Sequence, residues 1–436
     1  MWHIQQYEQE SRVAAVLIIF VVCLIGKDVA FAPAHYVMRG AAQAICFASG
    51  LIYLIPNLSP GLLARYWPIL MYLLTLLFAA PFTLFPGFVL LQILSLISAV
   101  LFAIAYFESG QDDQQGRLRL LVLSAIAIYG ITAYASLAFT KLQPGLAYEA
   151  LFAGNATGYE MRFRGVFSKS GIMAAASGLL VGLAAIRVKR WSLKVFLMIP
   201  GLLCLALTQS RSFWLASLLA GSATTWLYFP RLRRWIYVAL GAASIAASLA
   251  LAFNISVDTS GVNSFARLNS ISTLSGRTAL WQAAYHGWSE RPMFGYGFTL
   301  GGLGLTNLQA VSDDDDPTQY SRMTLHNGYV QSIMDAGLVG FFFYLMAIFV
   351  SIRCILRFDK DRLFPEALYV LVFLSIANGG ESVVYSGSVF QSLCFWVFAV
   401  FAMHLKAGRH SVPVHAPSAE EMPPEDVQVP WPNLLR

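Results

Sequence analysis

The chain has 436 residues, of which 57% are hydrophobic and only 12% are charged, and its mean hydropathy is +0.62. Globular proteins carry about 25% charged residues, so a soluble core could not bury this much apolar surface. The net charge of +6 comes from basic residues that are scattered between apolar runs, which excludes the basic stripe of a nucleic-acid-binding protein. We therefore expect a membrane protein without a nucleic-acid partner.

Apolar runs of membrane-spanning length recur along the whole chain. In chain order they begin near residues 13, 38, 66, 88, 118, 172, 193, 212, 235, 338, 367 and 386. This pattern predicts an all-α polytopic membrane protein with about twelve transmembrane helices. The first run has no cleavage site of the signal-peptide kind, so we expect it to remain as the first span.

Short basic loops give the expected orientation of these helices. The loops near 187–194, 231–234 and 353–362 are rich in Lys and Arg, and the positive-inside rule places such loops in the cytoplasm. Both termini are then cytoplasmic, and a large loop between the ninth and tenth helices lies on the outer side.

Four regions follow from this topology. Residues 1–256 hold the first nine helices with an outer loop at 141–171, and residues 257–337 form the large outer loop and a re-entrant segment, where we expect the chemistry. Residues 338–408 hold the last three helices. The segment 409–436 is rich in Pro and acidic residues, which predicts a disordered cytoplasmic tail.

The outer side should be poor in cations, yet many are predicted there. They are Arg162, Arg164, Lys169, Arg211, Arg267, Arg277, Arg291 and Arg322. The planar guanidinium group donates two hydrogen bonds to phosphate oxygens and stays charged when partly desolvated, so this set predicts a site for an anion such as a diphosphate. The alternative for each cation is pairing with a lipid phosphate or with an acid such as Glu149, Glu160 or Glu290.

Two of these arginines have an informative context. Arg211 follows Ser210 between two apolar runs, where an unpaired charge is costly. Arg277 opens a helix-like run at 278–288, and the backbone N–H groups at a helix start attract anions. The turn that follows, at 291–297, contains Gly295 and Gly297, which permit close approach of the backbone.

His326 is the candidate general base, because it lies where the large loop returns to the membrane and histidine exchanges protons near neutral pH. The alternative is a structural hydrogen bond. The acidic run at 313–316 is typical of a solvated loop tip, so we predict no metal site and no cofactor.

Four stretches stand out, in order: RGVFSK at 164–169, TQSR at 208–211, SGRTALW at 275–281 with RP at 291–292 and GYG at 295–297, and LHNGY at 325–329 with DAGLVG at 335–340. Through these stretches the chain resembles the O-antigen ligase and O-antigen polymerase superfamily of bacterial membrane glycosyltransferases. Two positions depart from the pattern of many relatives, Ser170 in place of asparagine and Asp335 in place of glutamate.

The resemblance implies a multi-pass protein of the bacterial inner membrane that transfers a glycan from an undecaprenyl-diphosphate carrier to a sugar hydroxyl at the periplasmic face. It implies a metal-independent, inverting reaction in which His326 is the base. The residues that would bind the diphosphate are Arg164, Arg211, Arg277, Lys169 and Arg267. Supporting residues would be Ser210, Gly276, Gly295, Gly297 and Asn327.

Within the superfamily, the residues of the first and third stretches resemble the exopolysaccharide polymerase branch more than the ligases. The alternative is a ligase that joins O-antigen to lipid A core. Expected partners are the donor, a glycan or lipid A core acceptor, membrane lipid and a chain-length regulator. A transporter of lipid-linked glycans is a more distant alternative. Transporters concentrate ionisable residues near the membrane midplane, whereas here they are predicted to cluster at the outer boundary.

The orientation can be tested with two engineered cysteines, since the native ones lie in apolar runs. A membrane-impermeant thiol reagent should label Ser272→Cys in intact spheroplasts and should label Ser418→Cys only after the membrane is opened. The reverse labelling pattern would place the large loop in the cytoplasm and contradict the predicted orientation.

Overall fold

The computed structural model describes residues 35–109, 113–152, 159–234, 277–306, 315–317, 325–359, 363–382 and 389–405, together with residues 320 and 323. The predicted spans near residues 13 and 235, the tail at 409–436, Arg267, Gly276 and Arg322 lie outside this part of the chain.

The described residues form a bundle of helices. In chain order the helices are α1 (His35–Asn57), α2 (Pro60–Ala79), α3 (Pro86–Glu108), α4 (Gln114–Leu142), α5 (Ser170–Arg187), α6 (Trp191–Leu207), α7 (Arg211–Tyr228), α8 (Arg277–Glu290), α9 (Gly328–Phe358), α10 (Pro365–Ala377) and α11 (Val389–His404). The apolar runs predicted between residues 38 and 228 and after residue 338 each coincide with one of these helices.

Several of the helices are long and apolar enough to cross a membrane. Five meet both criteria: Pro60–Phe82, Pro86–Glu108, Gln114–Leu142, Ser170–Arg187 and Gly328–Phe358. Shorter apolar helices occupy Gln43–Asn57, Trp191–Leu207, Pro365–Ala377 and Ser392–His404. These helices confirm the prediction of a helical, multi-pass membrane protein.

Local sequence signals set the helix starts. Ser59 precedes Pro60, and its hydroxyl accepts a hydrogen bond from Leu62 N. The Asp113 carboxylate accepts from Gly116 N at 2.9 Å. Such caps satisfy backbone N–H groups that have no partner inside the helix.

Aromatic side chains pack three helices together at the centre of the bundle. Tyr72 of α2 stacks on Trp396 of α11, with ring centroids 5.6 Å apart, and lies the same distance from Tyr344 of α9. All three side chains are buried. Aromatic pairs contribute about 0.5–1.5 kcal/mol each beyond the area that they bury.

Charged and polar side chains join the helix ends that lie away from the sequence motifs. Glu108 at the end of α3 pairs with Arg65 near the start of α2, and with His404 at the end of α11, where Nδ1 and Oε1 are 2.9 Å apart. Arg187 at the end of α5 lies 3.4 Å from Glu366 at the start of α10. These contacts bring the ends of separate helices together at one end of the bundle. The sequence motifs lie at the opposite end, which we call the motif end; it includes residues 164–169, 208–211, 291–297 and 325–337.

Helix α9 is interrupted at Gly337, where φ is +63° and ψ is −168°. The loop 292–297 lies against this break and replaces the hydrogen bonds that the helix loses. Tyr296 N and Gly297 N each donate at 2.9 Å to the carbonyl groups of Met334 and Asp335. On the other side of the break, Leu338 N and Val339 N donate to the carbonyl groups of residues 292 and 293.

A short antiparallel ribbon adds strands that the all-α prediction did not include. Strand β1 (Tyr148–Phe152) pairs with β2 (Tyr159–Phe163), and Tyr148 lies opposite Phe163. The rings of these two residues are 5.7 Å apart, and Phe163 is buried. The ribbon lies between α4 and α5, just before the RGVFSK stretch.

Gly337→Ala should destabilise the protein, because the backbone conformation at this residue is open essentially only to glycine and a Cβ would collide with the backbone of Met293 and Phe294. The strained conformation alone costs about 1–3 kcal/mol. Thermal unfolding in detergent should show a clear loss for Gly337→Ala. Gly221→Ala is the matched control, because a Cβ there meets nothing within 4 Å, and equal unfolding temperatures for the two variants would contradict this reading of the break.

Candidate functional site

His326 pairs with a carboxylate from a distant part of the chain. Its Nδ1 lies 3.0 Å from Oε2 of Glu381, which follows the turn at the end of α10. The imidazole is 44% exposed and the carboxylate 22%, so the ring can be reached from outside the bundle. The sequence analysis predicted His326 but not its partner.

Contacts between the start of α9 and the end of α10 hold this pair together. Gly328 N donates to Asn378 O at 2.7 Å, and the Tyr329 hydroxyl donates to Ser375 O at 2.7 Å. Gly328 packs so closely on the Asn378 side chain that a Cβ would collide with it. Residues 328 and 329, which follow His326, are thus hydrogen-bonded to residues 378 and 375, which precede Glu381.

Asn327 caps α9 immediately after His326. Its side-chain oxygen accepts from Tyr329 N at 3.0 Å and from Val330 N at 3.2 Å. The cap fixes the point at which the chain leaves the loop and becomes helical. The structure therefore gives Asn327 a positioning role next to the candidate base.

Arg211 and Ser210 lie at the same corner of the bundle. Arg211 is the first residue of α7, and Ser210 is the buried residue that precedes it. The next residue, Ser212, packs against Gly380, where a Cβ would collide with the Ser212 side chain. Because Gly380 is adjacent to Glu381, the start of α7, whose first residue is Arg211, lies beside the segment that carries Glu381.

Arg164 and Lys169 belong to the segment between β2 and α5. Arg164 Nε donates to Leu146 O at 2.9 Å, and Lys169 is an exposed residue that immediately precedes α5. Two residues further on, a Cβ built at Gly171 would lie 4.0 Å from the Phe213 ring in α7. The segment therefore adjoins the start of α7 at the motif end.

Arg277 is the first residue of α8, as the sequence analysis predicted. Helix α8 is tied to the candidate site by Trp281, whose indole N–H donates to Leu325 O at 3.0 Å. Of Arg277 itself the structure describes the backbone position, so its contact with an anion stays a prediction.

Gly295 and Gly297 have a packing role that the sequence did not reveal. Both have positive φ, +68° and +107°, and a Cβ at Gly295 would collide with the carbonyl of Met334. They let the loop lie flat against the break in α9. This packing does not test the prediction that the two glycines support anion binding, which stays a prediction.

Tyr296, between these glycines, is a neutral hydrogen-bond donor. Its hydroxyl donates to Gly287 O at 2.6 Å and to Glu290 Oε2 at 3.2 Å. Burial, together with the nearby Glu290 charge, raises the pKa of Tyr296 to about 12. Tyr296 therefore fastens the loop to α8 and takes no part in proton exchange near neutral pH.

Backbone strain is concentrated around the candidate site. Among the described residues other than glycine, positive φ occurs at Gln209 (52°), Thr299 (68°) and His326 (51°). Side chains make this conformation costly, and such residues cluster at functional sites. Gln209 lies beside the Ser210–Arg211 corner, and Thr299 follows the loop at the break, so all three lie at the motif end.

The sequence contains only an indirect signal for Glu381. It is an acidic residue at the end of an apolar run, but hydropathy does not show which loops meet in space. The sequence analysis noted Asp335 only as a departure from a family pattern and did not consider Gln331, because both lie inside the segment that it treated as a return to the membrane.

The apolar helices indicate a multi-pass membrane protein, and the contact between His326 and Glu381 lies at one end of its bundle. Residues 195–345 match the family model described as O-antigen ligase. This match confirms the resemblance to the O-antigen ligase and polymerase superfamily over the part of the chain that holds the second, third and fourth sequence stretches, whereas RGVFSK at 164–169 lies before it. The chain matches none of the curated proteins with which it was compared.

The matched domain contains part of the candidate site. It includes Ser210, Arg211, Arg277 and His326, whereas Arg164, Lys169 and Glu381 lie outside it. The structure therefore extends the site beyond the family domain in both directions along the chain.

Proposed function

We propose that this protein transfers a glycan from an undecaprenyl-diphosphate carrier to a sugar hydroxyl at the periplasmic face of the bacterial inner membrane. The observation that supports this most directly is the His326–Glu381 pair, 3.0 Å apart, at the corner where α7 begins with Arg211. A base and a cation at one accessible corner are the two groups that transfer from a diphosphate carrier needs.

The proposed base is the Nε2 atom of His326. A carboxylate beside Nδ1 holds the ring proton on that nitrogen and leaves the lone pair on Nε2. Nε2 takes the proton from the attacking hydroxyl, and the Glu381 carboxylate stabilises the imidazolium that forms. This is the division of labour between histidine and carboxylate in acid–base triads.

The proposed diphosphate clamp consists of Arg211, Arg277, Arg164, Lys169 and Arg267. As the bond between the sugar and the diphosphate breaks, negative charge grows on the leaving oxygen, and fixed cations stabilise it. In this mechanism the arginines supply the charge that a metal would otherwise supply. Direct attack of the hydroxyl on the anomeric carbon inverts its configuration.

The proposed topology has about twelve spans and both termini in the cytoplasm. Residues 1–256 and 338–408 contain the spans, residues 257–337 form the periplasmic catalytic loop with its re-entrant segment, and 409–436 is a cytoplasmic tail. The clustering of the motif residues at one end of the bundle supports a site at the membrane boundary, which is where a lipid carrier presents its diphosphate.

Between the two reactions of the superfamily, we favour polymerisation of exopolysaccharide or O-antigen repeat units, with a chain-length regulator as a further partner. The description of the matching family model as O-antigen ligase is the observation that favours the second candidate, ligation to lipid A core. Deletion of the gene followed by gels of lipopolysaccharide and secreted polymer separates them. A polymerase defect leaves single repeats, and a ligase defect leaves polymer on the carrier.

Arg211→Lys should lower glycan transfer about tenfold to hundredfold, because lysine keeps the charge but loses the two-pronged hydrogen bond to phosphate. A hydrogen bond to a charged group contributes about 1.5–3 kcal/mol, and each 1.4 kcal/mol is about tenfold in rate. Transfer is measured in membranes with a lipid-linked donor. Arg190→Lys, an exposed change before α6 at the opposite end of the bundle, is the matched control, and full activity of both Arg211→Lys and Arg277→Lys would rule out the clamp.

His326→Gln should reduce transfer about a hundredfold to ten-thousandfold in correctly inserted protein, because glutamine keeps hydrogen bonding but cannot accept a proton at neutral pH. Glu381→Gln should cause a smaller loss, since the base remains but its orienting charge is gone. Glu366→Gln, at the other end of the same helix, should keep the wild-type rate per folded molecule. Wild-type transfer by His326→Gln would show that the histidine is structural.

A further inference from the structure

Two buried polar side chains inside α9 connect the broken helix to the peptide that precedes His326. They are Gln331 and Asp335, one helical turn apart, with exposed fractions of 5% and 0%. Buried polar groups are costly unless their hydrogen bonds are made. Their partners therefore indicate what the two side chains do.

Asp335 is held entirely by neutral donors. Its carboxylate accepts from Thr299 N at 2.8 Å, from Gly301 N, and from the Gln331 side-chain nitrogen at 2.9 Å. A Cβ at Gly301 would collide with the carboxylate, so glycine is needed for this close approach. Asp335 thus fastens the segment after the 292–297 loop to the outer part of α9.

Asp335 also decides which way the Gln331 amide faces. A carboxylate that receives hydrogen bonds requires the nitrogen of the amide to point at it. The amide oxygen must then point away, and it accepts from Leu325 N at 3.2 Å. The two side chains form a directed chain of hydrogen bonds from Asp335 to the Leu325 peptide.

Leu325 is consequently fixed on three sides. Gln331 binds its N–H, the Trp281 indole binds its carbonyl at 3.0 Å, and its own side chain is fully buried. The next residue is His326, whose φ of +51° is unfavourable without such support. The direction of the imidazole toward Glu381 thus depends on how firmly Leu325 is held.

We infer that Gln331 and Asp335 are positioning residues for His326, which act by holding the Leu325 peptide so that the imidazole stays beside Glu381. The inference rests on the proposed function of His326 as the base. Neither side chain touches the reacting groups. Small displacements of a reacting group cost rate steeply, about a hundredfold for about 1 Å, so the support should be visible in turnover.

The test uses Gln331→Met, which keeps the volume of the side chain but removes both hydrogen bonds, and Asp335→Asn, which places an amide where only an acceptor fits. Both should lower kcat about tenfold to hundredfold in the full-length protein and leave the KM for a lipid-linked donor unchanged. Ser332→Ala is the matched control. Ser332 is equally buried in the same turn, but its hydroxyl donates only to Tyr329 O in its own helix.

Hydrogen–deuterium exchange supplies a readout that does not depend on activity. In Gln331→Met the amide of Leu325 should exchange at least about tenfold faster, because its acceptor is gone, while residues 339–358 keep the wild-type rate. Wild-type kcat, wild-type exchange at Leu325, or faster exchange throughout α9 would each overturn the inference. If His326→Gln is inactive but Gln331→Met has wild-type kcat, only this inference fails; if His326→Gln is fully active, the proposed function fails.

Discussion

The rest of the structure depends on how the backbone hydrogen bonds are satisfied at the break in α9. A backbone in an apolar surrounding must have its N–H and C=O groups hydrogen-bonded within the protein, because no water replaces the missing partners. At Gly337 the helix cannot supply them, and the loop 292–297 does so on both sides of the break. The loop, α8 and the part of α9 before the break are therefore joined to one another, and Tyr296 and Trp281 add further hydrogen bonds.

The candidate site follows from this arrangement. The loop fixes the part of α9 that precedes Gly337. The first turn of α9 therefore meets the end of α10 at a defined place, where Gly328 contacts Asn378. This contact brings His326 to Glu381. The start of α7 reaches the same corner through the close packing of Ser212 on Gly380. Among the described residues, the proposed base and the helix start that carries one proposed arginine therefore lie near each other through contacts between helix ends.

Hydropathy was enough to predict most of the helices, because a span of apolar residues has few other structures available in a membrane. The local residue pattern also predicted that Arg277 opens a helix and that residues 291–297 form a turn. It could not predict that Glu381 pairs with His326, since pairing between distant loops depends on tertiary packing. The ribbon at 148–163 was missed for a different reason. Two five-residue strands are too short to stand out beside the long apolar runs.

The glycines show how one sequence pattern can have two physical explanations. Gly295 and Gly297 were predicted to support an anion, but Gly295 lies close to the carbonyl groups of Met334 and Asp335 in α9, and Gly297 lies close to the side chains of Thr83 and Val89. Asp335 was noted only as a departure from a family pattern. Its burial among three N–H donors could not be read from a sequence in which it resembles any acidic residue at a membrane boundary.

The contact between Ser212 and Gly380 has a consequence for how the protein is made. The two residues are separated by most of the second half of the chain, and Glu381 emerges from the ribosome only after α10. A nascent chain that has inserted α7 and even α9 still lacks the carboxylate partner of His326. The proposed active site is therefore completed late in biosynthesis, when the segment after α10 reaches the start of α7.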